Sequence, residues 1–206
     1  MGKKICVVLF VFCKIFNVCS QNFLPFIVND IKNAHIYYGK DSYVCCEMYK
    51  PSFAILEHEG FTGLTHKLET WLGIESVCEL DSISMNSHPI SMEKELRDCK
   101  ISKKRVASMK KIEQIREKTQ NSNICKQCEP TFKWYQIPLL LRKLFWRKCG
   151  KSFYFFSVPL QVENYQIMQM TEMSIFATCR DRVNIYYYIY NNQTNELKKT
   201  FVYSNY

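Results

Sequence analysis

Eight cysteines lie after residue 20 of this 206-residue chain, and their spacing limits the chemistry that the sequence could perform. Cys125 and Cys128 form a C-x-x-C pair, which in redox enzymes follows a strand and opens a helix, and in zinc proteins is half of the ligand set. Here the pair leads into Glu129-Pro130, and neither a second ligand pair of matching spacing nor a later histidine follows. The spacing therefore predicts structural half-cystines, with no metal and no other cofactor.

The eight cysteines are even in number, as a fully disulfide-bonded protein requires. Cys45 and Cys46 are adjacent and cannot easily bond to each other, so they are expected to tie this part of the chain to two different places. The connectivity stays open. The candidate half-cystines are Cys45, Cys46, Cys78, Cys99, Cys125, Cys128, Cys149 and Cys179.

The histidines give little support for an enzyme. His58-Glu59 and His66 are arranged differently from a zinc-protease helix, which needs His-Glu-x-x-His because only imidazoles four residues apart share a helix face. Rings eight residues apart on a helix are about 12 Å apart. The sequence has no nucleophile elbow, phosphate-binding loop or dinucleotide fingerprint. We expect a non-enzymatic protein, and a hydrolase using His58, His66 or Glu69 is the third alternative.

Positive charge is concentrated in the middle of the chain. Residues 100–151 carry fifteen Lys or Arg against three Asp or Glu, whereas residues 21–99 carry six against twelve. Lys103-Lys104-Arg105 has the form of a dibasic processing site, and cleavage after Arg105 would separate an acidic propeptide from a basic ligand with four cysteines in each part. The alternative is the solvated face of an uncut helix, which the helical periodicity of this segment slightly favours.

A second basic segment, residues 138–148, interleaves cationic and aromatic side chains. Such a pattern on a short amphipathic helix suits anionic lipid headgroups or sulfated glycans. The alternative is a core helix that buries leucines against the β region and turns its cations outwards. The cations of this segment are Arg142, Lys143, Arg147 and Lys148.

Residues 1–20 have the pattern of a signal peptide, with lysines before an apolar run and small or medium residues before Gln21. Its removal takes away three of the eleven cysteines and leaves the even set of eight. Asn192 begins a glycosylation sequon, Asn-Gln-Thr, in a segment that reads as a hairpin turn. Both features predict a secreted, extracellular protein.

The periodicity of apolar residues predicts the helices that position these groups. The expected helices are a first from a Ser52 cap to a stop at Gly73, a second from Met92 to Lys118 capped by Ser91, and a third over 138–148. Residues 79–91 read as a polar loop.

Residues rich in β-branched and aromatic side chains predict the strands, which gather near the C-terminus. The main runs are 153–158, 174–178, 183–190 and 199–203, and the shorter runs nearer the N-terminus are Ala34-His-Ile-Tyr-Tyr and Tyr43-Val-Cys-Cys. Helices followed by an antiparallel β region predict a disulfide-stapled α+β fold. The expected organisation is a signal peptide (1–20), an acidic, mainly helical region and candidate propeptide (21–105), and a basic helix followed by an aromatic-rich β region (106–206).

These features predict a secreted, disulfide-bonded, non-enzymatic binding protein that acts on a receptor, another extracellular protein or a glycan. The alternative is a cationic, membrane-active host-defence protein that acts on anionic membrane surfaces through residues 138–148. Nucleic acid would suit the charge, but an extracellular location excludes it as the expected partner.

Overall fold

The computed structural model of the protein describes residues 25–31, 42–53, 56, 61–86, 91–99, 101, 103–121, 151–175 and 181–205. Residues 25–31 are helical, and four further helices are α1 (Thr62–Leu72), α2 (Cys78–Met85), α3 (Glu93–Asp98) and α4 (Met109–Gln120). The strands are β1 (Ser42–Cys45), β2 (Val106–Ala107), β3 (Lys151–Phe156), β4 (Leu160–Val162), β5 (Tyr165–Ile175), β6 (Asp181–Asn191) and β7 (Leu197–Asn205). The predicted α+β class is confirmed.

All seven strands belong to one mixed sheet, in the order β2-β1-β3-β5-β6-β7, with β4 beside β5. From β3 onwards the paired strands are antiparallel, as the sequence predicts. β1 instead runs parallel to both of its neighbours, β2 and β3. The N-terminal part of the chain is therefore not only helical, because it supplies an internal strand of the sheet.

Helices cover both faces of this sheet. Face A, which carries Tyr154, Met168 and Tyr188, packs against the helical segment 25–31 and against α3 through one apolar cluster. Face B, on the opposite side, packs against α1 and α2 in a second cluster and against α4 in a third. Every cluster combines residues that precede Arg105 with residues that follow it, so the two parts of the chain share their cores.

A hydrogen-bonded polar network lies on face A, where most buried side chains are apolar. Glu172 of β5 is only 2% exposed. One of its carboxylate oxygens accepts from the Tyr154 hydroxyl at 3.2 Å, and the other accepts from the Asn184 amide at 2.9 Å and the Tyr186 hydroxyl at 3.0 Å. Burial, reinforced by Glu172, raises the pKa of Tyr154, which keeps its hydroxyl protonated and able to donate.

The predicted polar loop at 79–91 is wrong over most of its length, because residues 78–85 form α2. Its polar residues satisfy distant backbone groups: Asp81 accepts from the Phe53 N–H at 2.8 Å, and the Ser84 hydroxyl donates to the Pro51 carbonyl at 2.7 Å. Leu80, next to Asp81 in the chain, is fully buried in the face B cluster. Those partners lie about thirty residues away, so local composition reads this helix as a loop.

The long helix predicted from Met92 to Lys118 is also wrong, because the chain breaks it into α3, a 3-10 turn, β2 and α4. The break pairs Val106 and Ala107 with β1. Ser108 then caps α4 with its side chain, whereas α1 begins at Thr62 with no cap from Ser52. The predicted stop at Gly73 is confirmed, since this residue has a left-handed φ of 70° and its N–H donates to the Glu69 carbonyl.

The predicted helix at 138–148 lies outside the described residues, as do residues 1–24. No helix in the described ranges is long and apolar enough to cross a membrane.

Candidate functional site

Four exposed lysines lie within nine residues of one another, where the chain passes from the 3-10 turn Lys103–Arg105 into α4. We call them the basic surface: Lys103, Lys104, Lys110 and Lys111. The first two were predicted as surface cations from the sequence, and the structure adds the second two at the first turn of α4. The predicted cations of residues 138–148 lie outside the described residues.

Two hydrogen bonds fix the chain between Lys103-Lys104 and Lys110-Lys111. The Cys46 N–H donates to the carbonyl of Ala107 at 3.0 Å, which anchors β2 against the sheet. Directly after β2, the Ser108 hydroxyl accepts from the Lys111 N–H at 3.4 Å and so starts α4. The lysines therefore stand on both sides of an anchored two-residue strand.

The electrostatics of this surface are unbalanced. Ion pairs among the described residues join Arg97 to Glu93, Arg116 to Glu113 and Lys199 to Asp30, and none of them includes a lysine of the basic surface. The first turn of α4 has no acidic residue. Because the N-terminal end of a helix is its positive end, Lys110 and Lys111 stand where carboxylates are normally favoured. An anion bound here would reduce the repulsion between these ammonium groups and the positive end of the helix.

The structure places the four described half-cystine candidates in different environments. Cys45 is buried against face B, and burial raises the pKa of its thiol to about 11. Cys46 is half-buried and packs against the face A cluster, and burial raises the pKa of its thiol also. Cys99 packs against that same cluster, whereas Cys78 is exposed at the start of α2.

No disulfide joins any two of these four described cysteines. Cys125, Cys128, Cys149 and Cys179 lie outside the described residues. Disulfide formation therefore stays a prediction.

The glycosylation candidate Asn192 is exposed in the turn between β6 and β7. Its N–H donates to the Asn164 carbonyl at 2.8 Å, which packs this turn against the neighbouring one between β4 and β5. The predicted turn is confirmed, and its glycosylation stays a prediction.

The histidine candidates are not brought together with other ligands in the part of the chain that the structure describes. His66 is exposed on α1, Glu69 is half-buried one turn later, and His58 lies outside the described residues. Within the described ranges no three His, Cys, Asp or Glu side chains are close enough to hold a metal ion.

The sequence did not reveal the network around Glu172. Its members come from β3, β5 and β6, and they meet only because Tyr154 pairs with Glu172 and Glu172 pairs with Asn184 across the sheet. The carboxylate already accepts three hydrogen bonds from protein groups, which indicates a structural role. A single strand sequence carries no signal for such a cross-strand register.

Cleavage after Arg105 is expected to leave the two fragments associated. β1 of the first fragment lies between β2 and β3 of the second, and all three apolar clusters combine residues of both. A site-specific protease sequence inserted after Arg105 would test this by size-exclusion chromatography of the cut, reduced protein. Coelution in native buffer and separation in denaturant are expected. Release of an independent acidic fragment in native buffer would show that the shared core is not enough to hold the parts together.

No family model, curated protein sequence or solved structure matches this chain.

Proposed function

We propose that this protein is a secreted, non-enzymatic binding protein whose basic surface binds an anionic extracellular partner, namely a sulfated glycan or an acidic region of a receptor or other protein. The observation that carries the proposal is the basic surface itself. Its four exposed ammonium groups lack carboxylate partners among the described residues, and two of them stand at the positive end of a helix.

Lysine is suited to such a surface because its ammonium is a compact, mobile point charge on a long stem. Several lysines in one region attract a polyanion over roughly 10 Å at moderate ionic strength and increase its association rate. They adapt to repeated sulfate or carboxylate groups without requiring a single bound geometry. The net charge acts in the same direction: it is +9 for the whole chain and +6 once residues 1–20, with their three lysines, are removed.

The lysines in the first turn of α4 also oppose the stability of this helix. Carboxylates at the first turn of a helix contribute about 0.3–1 kcal/mol each, and α4 has lysines there instead. Local choices that oppose folding are expected at functional positions, because elsewhere they have no compensating benefit. Binding a polyanion would supply that compensation.

Replacing Lys103, Lys104, Lys110 and Lys111 together with glutamine is expected to weaken binding to a sulfated glycan. If each exposed lysine contributes about 0.5 kcal/mol, the loss is about 2 kcal/mol, which is roughly thirtyfold in Kd. Heparin is a suitable probe, measured by titration at several salt concentrations. The dependence of Kd on salt should become less steep, because fewer charges take part.

A matched control removes the same charge from other exposed positions by changing Lys50, Lys67, Lys94 and Lys118 to glutamine. This variant has the same net charge as the basic-surface variant but keeps the basic surface, so it is expected to bind heparin much more tightly than that variant. Equal losses in the two variants would show that only net charge matters and would refute a defined site.

The proposal also includes the disulfides, the glycan on Asn192 and an extracellular location. Expression of the chain with residues 1–20 in a secretory system should yield a protein in the medium that lacks those residues. Its intact mass should fall on treatment with an N-glycosidase, and Asn192→Gln should abolish that change. A protein retained in the cell, with all of its cysteines open to alkylation, would contradict this part of the proposal.

A further inference from the structure

The outer edge of β7 is the longest strand edge that the described part of the chain leaves unpaired. In the sheet order β2-β1-β3-β5-β6-β7, the two end strands are β2 and β7. β2 has only two residues, whereas β7 has nine, Leu197–Asn205, and its register with β6 is unbroken. The backbone N–H and C=O groups along such an edge can pair with a further strand.

The register with β6 shows which residues of β7 turn their backbone groups to this edge. The Asn191 N–H donates to the Glu196 carbonyl at 2.9 Å, so these two residues form a hydrogen-bonded pair just before β7 begins. In an antiparallel ladder, hydrogen-bonded pairs alternate with pairs that are not hydrogen-bonded. The even-numbered residues of β7 therefore bond to β6, and the odd-numbered residues point their N–H and C=O groups outwards. These residues are Leu197, Lys199, Phe201, Tyr203 and Asn205.

β7 lacks the features that commonly protect a sheet edge from association. Such features are proline, a bulge, a very short strand and charged side chains. β7 has no proline, and its only charges are Lys198 and Lys199. The Lys199 ammonium lies 2.6 Å from an Asp30 carboxylate oxygen, which offsets its charge on face A. The Lys198 ammonium lies 5.6 Å from the centroid of the Trp71 ring on face B, so both lysines contact the faces of their own sheet.

An exposed aromatic ring stands at the middle of the same edge. Phe201 is 62% exposed, more than any other phenylalanine in the described ranges. It lies opposite Tyr186 in the register, with the two ring centroids 6.0 Å apart, and so belongs to face A. Val202, the next residue, is buried on face B. The edge thus combines unpaired backbone groups with an apolar side chain that is still exposed to water.

We propose that two copies of this protein associate edge to edge through β7, antiparallel, about a two-fold axis that passes between their Phe201 residues. In this register Leu197 lies opposite Asn205 of the second copy, and Lys199 lies opposite Tyr203. It is the one antiparallel register that pairs the full nine residues of both strands. The outward groups of the two strands would form about ten hydrogen bonds, and the two sheets would become one.

The same register keeps like charges apart. Lys198 lies opposite Ser204 of the second copy and Lys199 opposite Tyr203, so neither lysine faces a lysine. A register centred on Lys199 would oppose two like charges, which is destabilising. In the full-length register Phe201 instead lies opposite its own copy, with Cα atoms about 5.5 Å apart, and the two rings can pack together on face A.

The position of β7 leaves the basic surface free in such a dimer. β2, which follows Lys103 and Lys104 in the chain, is the opposite end strand of the sheet. The dimer would therefore carry one basic surface beyond each end of its joined sheet, and a polyanion could contact both. That consequence rests on the proposed function, whereas the dimer itself does not. Added salt distinguishes the two, because it weakens binding of a polyanion but also screens the repulsion between two positively charged copies.

Charge substitutions at Phe201 test the dimer and its register. Sedimentation velocity of the full chain, in reducing buffer and over a range of concentrations, is expected to show a monomer–dimer equilibrium. Phe201→Lys should raise the dimer Kd about tenfold or more, since it replaces an aromatic pair by two like charges. Phe201→Glu should do the same, and an equimolar mixture of the two variants should associate again. A wild type that is monomeric at every concentration would overturn the proposal, and a Phe201→Glu protein that dimerises alone would overturn the register.

Met85→Lys is the matched control, because this residue is 74% exposed at the end of α2 and the variant has the same charge as Phe201→Lys. Its dimer Kd should equal that of the wild type, and an equal weakening in both variants would refute an interface at β7. Folding of the monomer does not depend on this interface. Variants at Phe201 are therefore expected to melt like the wild type in dilute solution, where the monomer prevails.

Hydrogen exchange of the backbone amides tests the edge residue by residue. The amides of Thr200 and Val202 donate to β6, so they should be protected from exchange at every protein concentration. The amides of Lys199 and Phe201 point outwards and should become protected only as the dimer forms. Rapid exchange at Lys199 and Phe201 in a solution that sedimentation shows to be dimeric would place the interface elsewhere and refute the proposal.

Discussion

Replacing Glu172 with leucine is expected to lower the free energy of unfolding by about 3–5 kcal/mol. The carboxylate is 2% exposed and accepts hydrogen bonds from Tyr154, Asn184 and Tyr186. Leucine has a similar volume but no acceptor, so three donors on face A would lose their partner. Each buried donor left without an acceptor costs about 1–3 kcal/mol, and some relaxation of the tyrosine hydroxyls keeps the total below the full sum.

Glu172→Gln is the matched control, because it changes the charge and keeps the shape. A glutamine oxygen can accept from Asn184 and Tyr186, while its NH₂ donates to the Tyr154 hydroxyl oxygen. The expected loss is about 1 kcal/mol, the typical net value of a single altered hydrogen bond. Denaturant unfolding of the reduced wild type and both variants measures the difference. Equal losses for leucine and glutamine would show that charge, rather than the satisfied donors, is what the sheet requires.

Phe53→Ala is expected to cost about 3–5 kcal/mol, as other large-to-small changes in closed cores do. Phe53 is 1% exposed, and its ring centroid lies 5.7 Å from that of Tyr187 on face B. It precedes α1 in the chain and connects the helical layer to β6. At about 2–4 °C of melting temperature per kcal/mol, the loss corresponds to about 10 °C in a thermal melt.

Phe201→Ala provides the comparison, because this side chain is 62% exposed on β7. Its ring lies beside that of Tyr186, and the two ring centroids are 6.0 Å apart. The expected loss is about 0.5 kcal/mol or less, the usual size for a surface substitution. A melting temperature that falls equally in the two variants would contradict the packing of Phe53 onto face B.

Local patterns in the sequence were sufficient to predict the elements whose signals lie within a few neighbouring residues. The β-branched and aromatic composition of β6, the turn at Asn192 and the stop at Gly73 are each local signals, and each predicted element is present. β5 was recognised only at its C-terminal end, because residues 165–173 are rich in Met, Gln and Glu. Their strand conformation comes from pairing with β3, β4 and β6 on both sides.

The elements that the sequence misassigned depend on partners far away in the chain. α2 is stabilised through Phe53 and Pro51, and β2 exists because β1 offers it an edge. No window of neighbouring residues contains these contacts, so propensity alone favours a loop in the first case and a continuous helix in the second.

The sequence by itself determined the α+β class, the even set of eight cysteines after residue 20 and the concentration of cations after residue 99. These are properties of composition and short-range order. Only the tertiary structure decided that Lys110 and Lys111 begin a helix rather than continue one, and that Cys45 and Cys46 pack on opposite faces of a shared sheet. The physical reason is that burial and strand register depend on residues from distant parts of the chain, which meet only when the sheet forms.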